Sequence, residues 1–277
     1  MASPLRPRGS LQYLFLAAAA VFILAPFAWI LMTSFKYQIE IFKESWIFQP
    51  TLANYLDVFS SRRSDFMTNV SNSLIVASLS TLFVLTIGVP AAYSLNRFAW
   101  RKWVIGTVLG ALLVFYMIPV MTLVGPLYLI FRELGLYNTR TALVLTHMTI
   151  NLPMTVWLML AFFREVPKEL EEAAQIDGCG KAQAFWVVAL PLVVPGLIAA
   201  GILAFVFSWN EFPIALTLTL HATATVPVGI AQFAQQFEIQ HGQMAAASIV
   251  ATAPAILLMF FGQRFVIQGL TLGSVKG

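Results

Sequence analysis

The stretch "LQYLFLAAAAVFILAPFAWILM", Leu11 to Met32, decides what kind of molecule this is. Its 22 residues carry no charge, and Arg6 and Arg8 stand just before it. A secretory signal also follows basic residues, but its apolar core runs only about 7–15 residues. At about 1.5 Å rise per residue, this run reaches roughly 33 Å, enough to cross a hydrocarbon core of about 30 Å. It reads as a first membrane span retained by the chain.

Five more such runs follow: Leu74–Leu95, Val104–Phe131, Ala142–Phe163, Ala184–Ser208 and Met244–Gly262. None contains Asp, Glu, Lys or Arg, as expected where a charge at the bilayer centre costs at least about 2.5–3.5 kcal/mol. The whole composition agrees. Hydrophobic residues make up 59% of the 277 and charged residues only 10%, against about 25% charged in a soluble domain; mean hydropathy is +0.82. The expectation is an all-α membrane protein of six transmembrane helices, spans 11–32, 74–95, 104–131, 142–163, 184–208 and 244–262, forming one domain over residues 1–277. Pro119 and Pro126 in the third run, Pro191 and Pro195 in the fifth, and Gly88 with Pro90 in the second predict kinks. Membrane helices tolerate these where neighbours satisfy the freed backbone groups, so the helices are expected to pack around a cavity.

Lysine and arginine set the orientation. With the N-terminus inside, the inner segments hold ten of the 16 basic residues. The outer ones hold six, four in 34–70 and two, Arg132 and Arg140, between spans three and four, although the outer loops 34–70 and 209–243 are much longer. Trp209–Gln243 has none. Both termini are then expected in the cytoplasm, with the spans amid lipid.

Several chemistries are excluded. The net charge of +4 is spread over loops and forms no concentrated basic face of the kind that binds nucleic acid. The lone Cys179 excludes an intrachain disulfide. Three widely separated histidines and one cysteine give no metal-ligand spacing. No span carries a carboxylate or base to relay protons, and His147, inside the fourth span, reads as hydrogen-bonded to a neighbouring helix. "GCGK" (Gly178–Lys181) is no phosphate loop, because Gln175 stands where Gly is required and Ala182 where Ser or Thr is. No cofactor is expected in this chain, and no catalytic residue. Uphill transport would need an energy source in a partner.

The acidic residues are concentrated in one place. Five of the twelve, Glu165, Glu169, Glu171, Glu172 and Asp177, lie between spans four and five, in segment 165–183. Pro167 suits a first helical turn, the glutamates favour the positive end of a helix dipole, and Asp177-Gly178 suits its termination. A second short helix from Lys181 would enter the fifth span. Leu170, Ala174 and Ile176 leave a small apolar face with a charged rim. Physical reasoning alone leaves open whether this is a solvated linker or a docking element.

The pattern resembles a known family. Glu172-Ala173-Ala174, then Gly178 after three residues, then Val188 and Leu190-Pro191, is similar to the EAA signature of ABC importer permeases. "WNEF" (Trp209–Phe212), "PVGIAQF" (Pro227–Phe233), "TLANYLDVF" (Thr51–Phe59) and the ending "GLTLGSVKG" (Gly269–Gly277) resemble the smaller permease of carbohydrate importers, the maltose-importer type. Cys179-Gly180-Lys181 departs from the usual turn. The resemblance implies a type I ABC importer permease fold in a bacterial cytoplasmic (inner) membrane, and a non-catalytic subunit forming half of a pore by alternating access. It implies as partners a second permease, two ATPase subunits that bind MgATP, and an extracytoplasmic solute-binding protein meeting Trp209–Gln243. Glu172, Ala173, Ala174, Asp177, Gly178, Leu190 and Pro191 would then couple to the ATPase. The tail through Gly269, Lys276 and Gly277 would dock between the ATPases.

A neutral sugar needs aromatic platforms and amide or hydroxyl groups. Asn72, Tyr116, Asn151, Asn210 and Glu211 are the candidates for its path, with Tyr93 and Trp157 beside them, although helix packing accounts for each alone as well. The competing readings are an ABC permease for a polyol or glycerophosphodiester, and a stand-alone gradient-driven carrier.

Overall fold

A computed structural model describes residues 9–60, 64–234 and 239–271, and every regular element among them is a helix. In chain order these are α1 (Gly9–Ser34), α2 (Gln38–Phe42), α3 (Ala53–Phe59), α4 (Phe66–Arg97), α5 (Lys102–Met117), α6 (Val120–Glu133), α7 (Arg140–Glu165) and α8 (Lys168–Ile176). Then come α9 (Lys181–Leu192), α10 (Val194–Trp209), α11 (Pro213–Leu218), α12 (Val226–Gln232) and α13 (His241–Thr271).

Helices α1, α4, α7 and α13 are each long and apolar enough to cross a membrane. Two expected spans, 104–131 and 184–208, are instead broken. They become α5 with α6, bent by 96°, and α9 with α10, bent by 76°. Counting each pair as one span restores six.

Proline chemistry explains both breaks. Ile118 is held extended (ψ 122°) by the ring of Pro119, which starts α6. In α9, the N–H of Leu190 reaches Phe185 in a π-turn just before Pro191, whose ring cannot supply the next helical hydrogen bond. Val193 then leaves helical geometry (φ −99°, ψ 10°) and Pro195 lies in the first turn of α10.

The chain divides into two compact units. The larger, residues 68–229 with 253–277, holds two apolar cores. One gathers Tyr93, Met159, Phe162, Phe163, Phe185 and Val193. The other gathers Val76, Phe131, Leu143, Ile214 and Leu218. Between α7 and α10 the approach is close: a β-carbon on Gly196 would stand 2.4 Å from the ring of Phe162. Small residues permit such contact where lipid offers no hydrophobic drive between helices.

The smaller unit, residues 1–67 with 230–252, is organised differently. Helix α1 leaves its apolar side chains exposed along nearly its whole length, as a helix clothed by lipid or another chain does. The segment after it is tied by polar bonds. Buried Lys36 donates from Nζ to the Ser45 carbonyl at 2.7 Å and lies over the rings of Trp29 and Phe48. Asn54 donates to the carbonyls of Ser34 and Lys36, both at 2.9 Å, and Gln243 donates to Asp57 at 3.1 Å.

Candidate functional site

Helix α8 is built as its sequence requires. Pro167 precedes it in extended geometry, and Glu169 and Glu171 occupy the first turn, where carboxylates meet the unsatisfied N–H groups. At the far end Gly178 has φ +97°, a conformation that side chains disfavour. The N–H of Cys179 reaches the Ala174 carbonyl at 2.9 Å and that of Gly178 reaches Gln175 at 3.1 Å, the paired bonds of a Schellman stop. Lys181 then begins α9. The expected helix–turn–helix is present.

The two faces of α8 differ. Glu171 is buried and both its carboxylate oxygens are engaged. Arg97, the last residue of α4, donates from Nε to Oε1 at 2.6 Å, and Tyr93, one turn earlier, donates its hydroxyl to Oε2 at 2.6 Å. Arg97 also donates from Nη2 to the Val166 carbonyl at 2.7 Å, satisfying the end of α7. The Tyr93 ring packs edge-on to Phe163 and tilted against Phe185, with centroids 5.4 and 4.7 Å away. Three helices therefore converge on one carboxylate.

Among the described residues, the opposite face has no such partners. Glu172 and Ala173 are exposed, as is Ile176 at 87%. A cleft of about 100 Å³ beside the ion pair is lined by Tyr93, Arg97, Phe98, Lys168, Glu172 and Lys181, among others. Of the other residues expected to couple, Ala174 is half-buried and Asp177 exposed at the helix end, while Leu190 packs against the first core and Pro191 is exposed. Gly269 lies on α13, and Lys276 and Gly277 lie outside the described residues.

The candidates for a ligand path are not gathered into one site. Asn72 is fully buried. It donates to the carbonyls of Ala222 and Ala224 and accepts from Arg140 Nε at 2.7 Å, so its amide is consumed in joining α4, α7 and the chain before α12. Asn151, buried, donates to the His147 carbonyl within α7 at 2.9 Å. Glu211 accepts from the N–H groups of Ile214 and Ala215 at 2.8 and 3.0 Å, starting α11. Asn210 is exposed and donates to the Val206 carbonyl at 2.8 Å. Tyr116 and Trp157 are exposed. Tyr93, considered for sugar, holds Glu171 instead.

His147 bonds a neighbouring helix, as its position suggested. Its Nδ1 is 2.7 Å from Ser208 Oγ on α10, and Ser80 of α4 donates to that same oxygen at 3.1 Å. Its Nε2 faces Glu211 Oε2 at 3.4 Å. Sequence reasoning did not single out Glu171 or Arg97 as a pair. One signal was available: Tyr93 and Arg97 are four residues apart and so share a helix face, placing an arginine at a helix end.

Residues 84–271 match the family described as the binding-protein-dependent transport system inner membrane component. The sulfoquinovosyl glycerol transport system permease of Agrobacterium fabrum is 38% identical over 95% of this chain and 93% of its own. The trehalose transport system permease of Mycobacterium tuberculosis is 38% identical over 92% of this chain and 93% of its own. Among solved structures, a chain of a bacterial ABC transporter involved in import of the acidic polysaccharide alginate superposes with a TM-score of 0.77 at 20% identity, covering 95% of this chain and 99% of that one; this is a likeness of fold. The chain belongs to the binding-protein-dependent transport system inner membrane component family and is a multi-pass permease of the inner membrane.

Proposed function

We propose that this chain forms half of the translocation pore of an ATP-driven importer for a sugar or sugar derivative, and that α8 is its coupling element. The observation that carries the coupling role is the division of α8 into a face clamped by Glu171 to its own chain and a free face of Glu172, Ala173 and Ile176. A solvated linker needs no buried ion pair, and an apolar Ile176 exposed at the end of α8 suits a groove in another protein.

MgATP is bound by the two partner ATPases, and closure of their dimer pushes on that face from the cytoplasmic side. Segment 165–183 and both termini lie in the cytoplasm in this reading. Residues 209–243 face outward to the solute-binding protein, and Gly269, Lys276 and Gly277 dock between the ATPases. The second permease completes the pore. The carbohydrate class is supported by the relatives named for sulfoquinovosyl glycerol and trehalose.

Affinity purification of the tagged chain from its native membrane is expected to recover a second permease and an ATPase. Recovery of the folded chain alone would contradict the proposal. Replacing Glu172 by Ala, or Gly178 by Val, is expected to abolish sugar uptake with membrane insertion intact. Normal uptake by both variants would refute the coupling role of α8.

A further inference from the structure

A free docking face explains how an ATPase can push on α8. It does not explain how the push reaches the spans. Helix α8 has nine residues and is joined to α9 through Gly178 and Gly180, around which a β-carbon would meet nothing within 4 Å. Held only by such a joint, α8 would rotate about its own end and dissipate the motion in solvent.

The Tyr93–Arg97–Glu171 cluster removes that freedom. Arg97 ends the 32-residue α4, so its cation also complements the carbonyls at that helix end. Its guanidinium donates from Nε to Glu171 and from Nη2 to the Val166 carbonyl. Arg97 and Glu171 side chains are 7% and 6% exposed, so water screens this pair far less than a surface one. Separating two charges so enclosed leaves each without its partner, which is costly. The Tyr93 hydroxyl satisfies the second oxygen, and its ring is fixed among Phe98, Phe163 and Phe185. Lys168 and Lys181 reach the rim of the same cleft, yet Glu171 is taken by Arg97.

We infer that Tyr93, Arg97 and Glu171 are positioning residues that make α8 and the end of α4 move as one body, so that displacement of α8 turns a pore-forming span. This rests on the importer reading. Glu172 is the residue offered to the partner; Glu171, its neighbour, holds α8 to the machinery it must move. The prediction is specific to adjacent carboxylates with opposite duties.

The test uses the assembled importer, with partner permease, ATPase and binding protein, in proteoliposomes. Sugar moved per ATP hydrolysed is measured for wild type, Glu171→Gln, Arg97→Gln, Tyr93→Phe and the swap Arg97→Glu/Glu171→Arg. Loss of the ion pair is expected to lower that ratio about tenfold, within the range that substitutions along a coupling network reach. Tyr93→Phe, which removes one oxygen, is expected to lower it by a smaller factor, and the swap to recover part of the loss. A general defect in folding would reduce assembled complex without changing the ratio. An unchanged ratio in assembled Glu171→Gln overturns the inference. Should that variant not assemble, an unchanged ratio in Tyr93→Phe overturns it.

Amide hydrogen exchange over residues 168–176 supplies a readout independent of transport. Exchange is expected to accelerate in Glu171→Gln, and equal protection would overturn the clamp even if the wild-type complex moved no sugar, a result that would separately defeat the importer reading.

Discussion

Glu211 illustrates how folding claims polar groups before any ligand does. Its two oxygens start α11 by accepting the N–H groups of Ile214 and Ala215, and it faces His147 at 3.4 Å. Glu211→Ala removes a helix-start acceptor of the kind worth about 0.5–2 kcal/mol, so the melting temperature in detergent should fall. Glu211→Gln, which keeps one acceptor oxygen, should fall less, and an unchanged melt in both would refute this role. The sequence marks Asn72, Asn151 and Glu211 as polar groups beside apolar runs, and that much was legible. Their partners were not. Asn72 bonds Ala222, 150 positions away, and hydropathy cannot see a carbonyl at that separation. The same limit hid the partner of Glu171, 74 positions from Arg97.

Among the elements, the six apolar runs were read from length and charge alone, because a backbone in hydrocarbon must satisfy its own hydrogen bonds. The start and stop of α8 were equally legible, in Pro167 and Asp177-Gly178, since few residues suit those conformations. The bends were only half legible. Pro119, Pro191 and Pro195 license interruptions, but the angles of 96° and 76° follow from what each half packs against. The closeness of α7 to α10 was invisible too: Gly196 lies in an apolar run where nothing marks it as a contact point. Gly196→Val would drive two methyl groups into the ring of Phe162, already 2.4 Å from an added β-carbon. Overpacking of this kind costs about 1–3 kcal/mol, and thermal denaturation of the purified chain should show it. A melt equal to wild type would mean that Phe162 moves aside freely.

For the whole molecule, the proposed pore-forming subunit would receive its work from a partner through a surface. Most exposed apolar side chains of α1, α5 and α13 suit lipid or another membrane chain, neither of which would deliver that work. Helix α8 differs: it carries clustered acid, an exposed Ile176, and a buried link to the end of a span. The most direct test is a photo-cross-linking residue placed at exposed Ala173 in the intact complex, with Thr149, exposed within a span, as the control position. An adduct with the ATPase is expected from position 173 and none from position 149. An intact complex giving no ATPase adduct from position 173 would contradict the coupling role of α8.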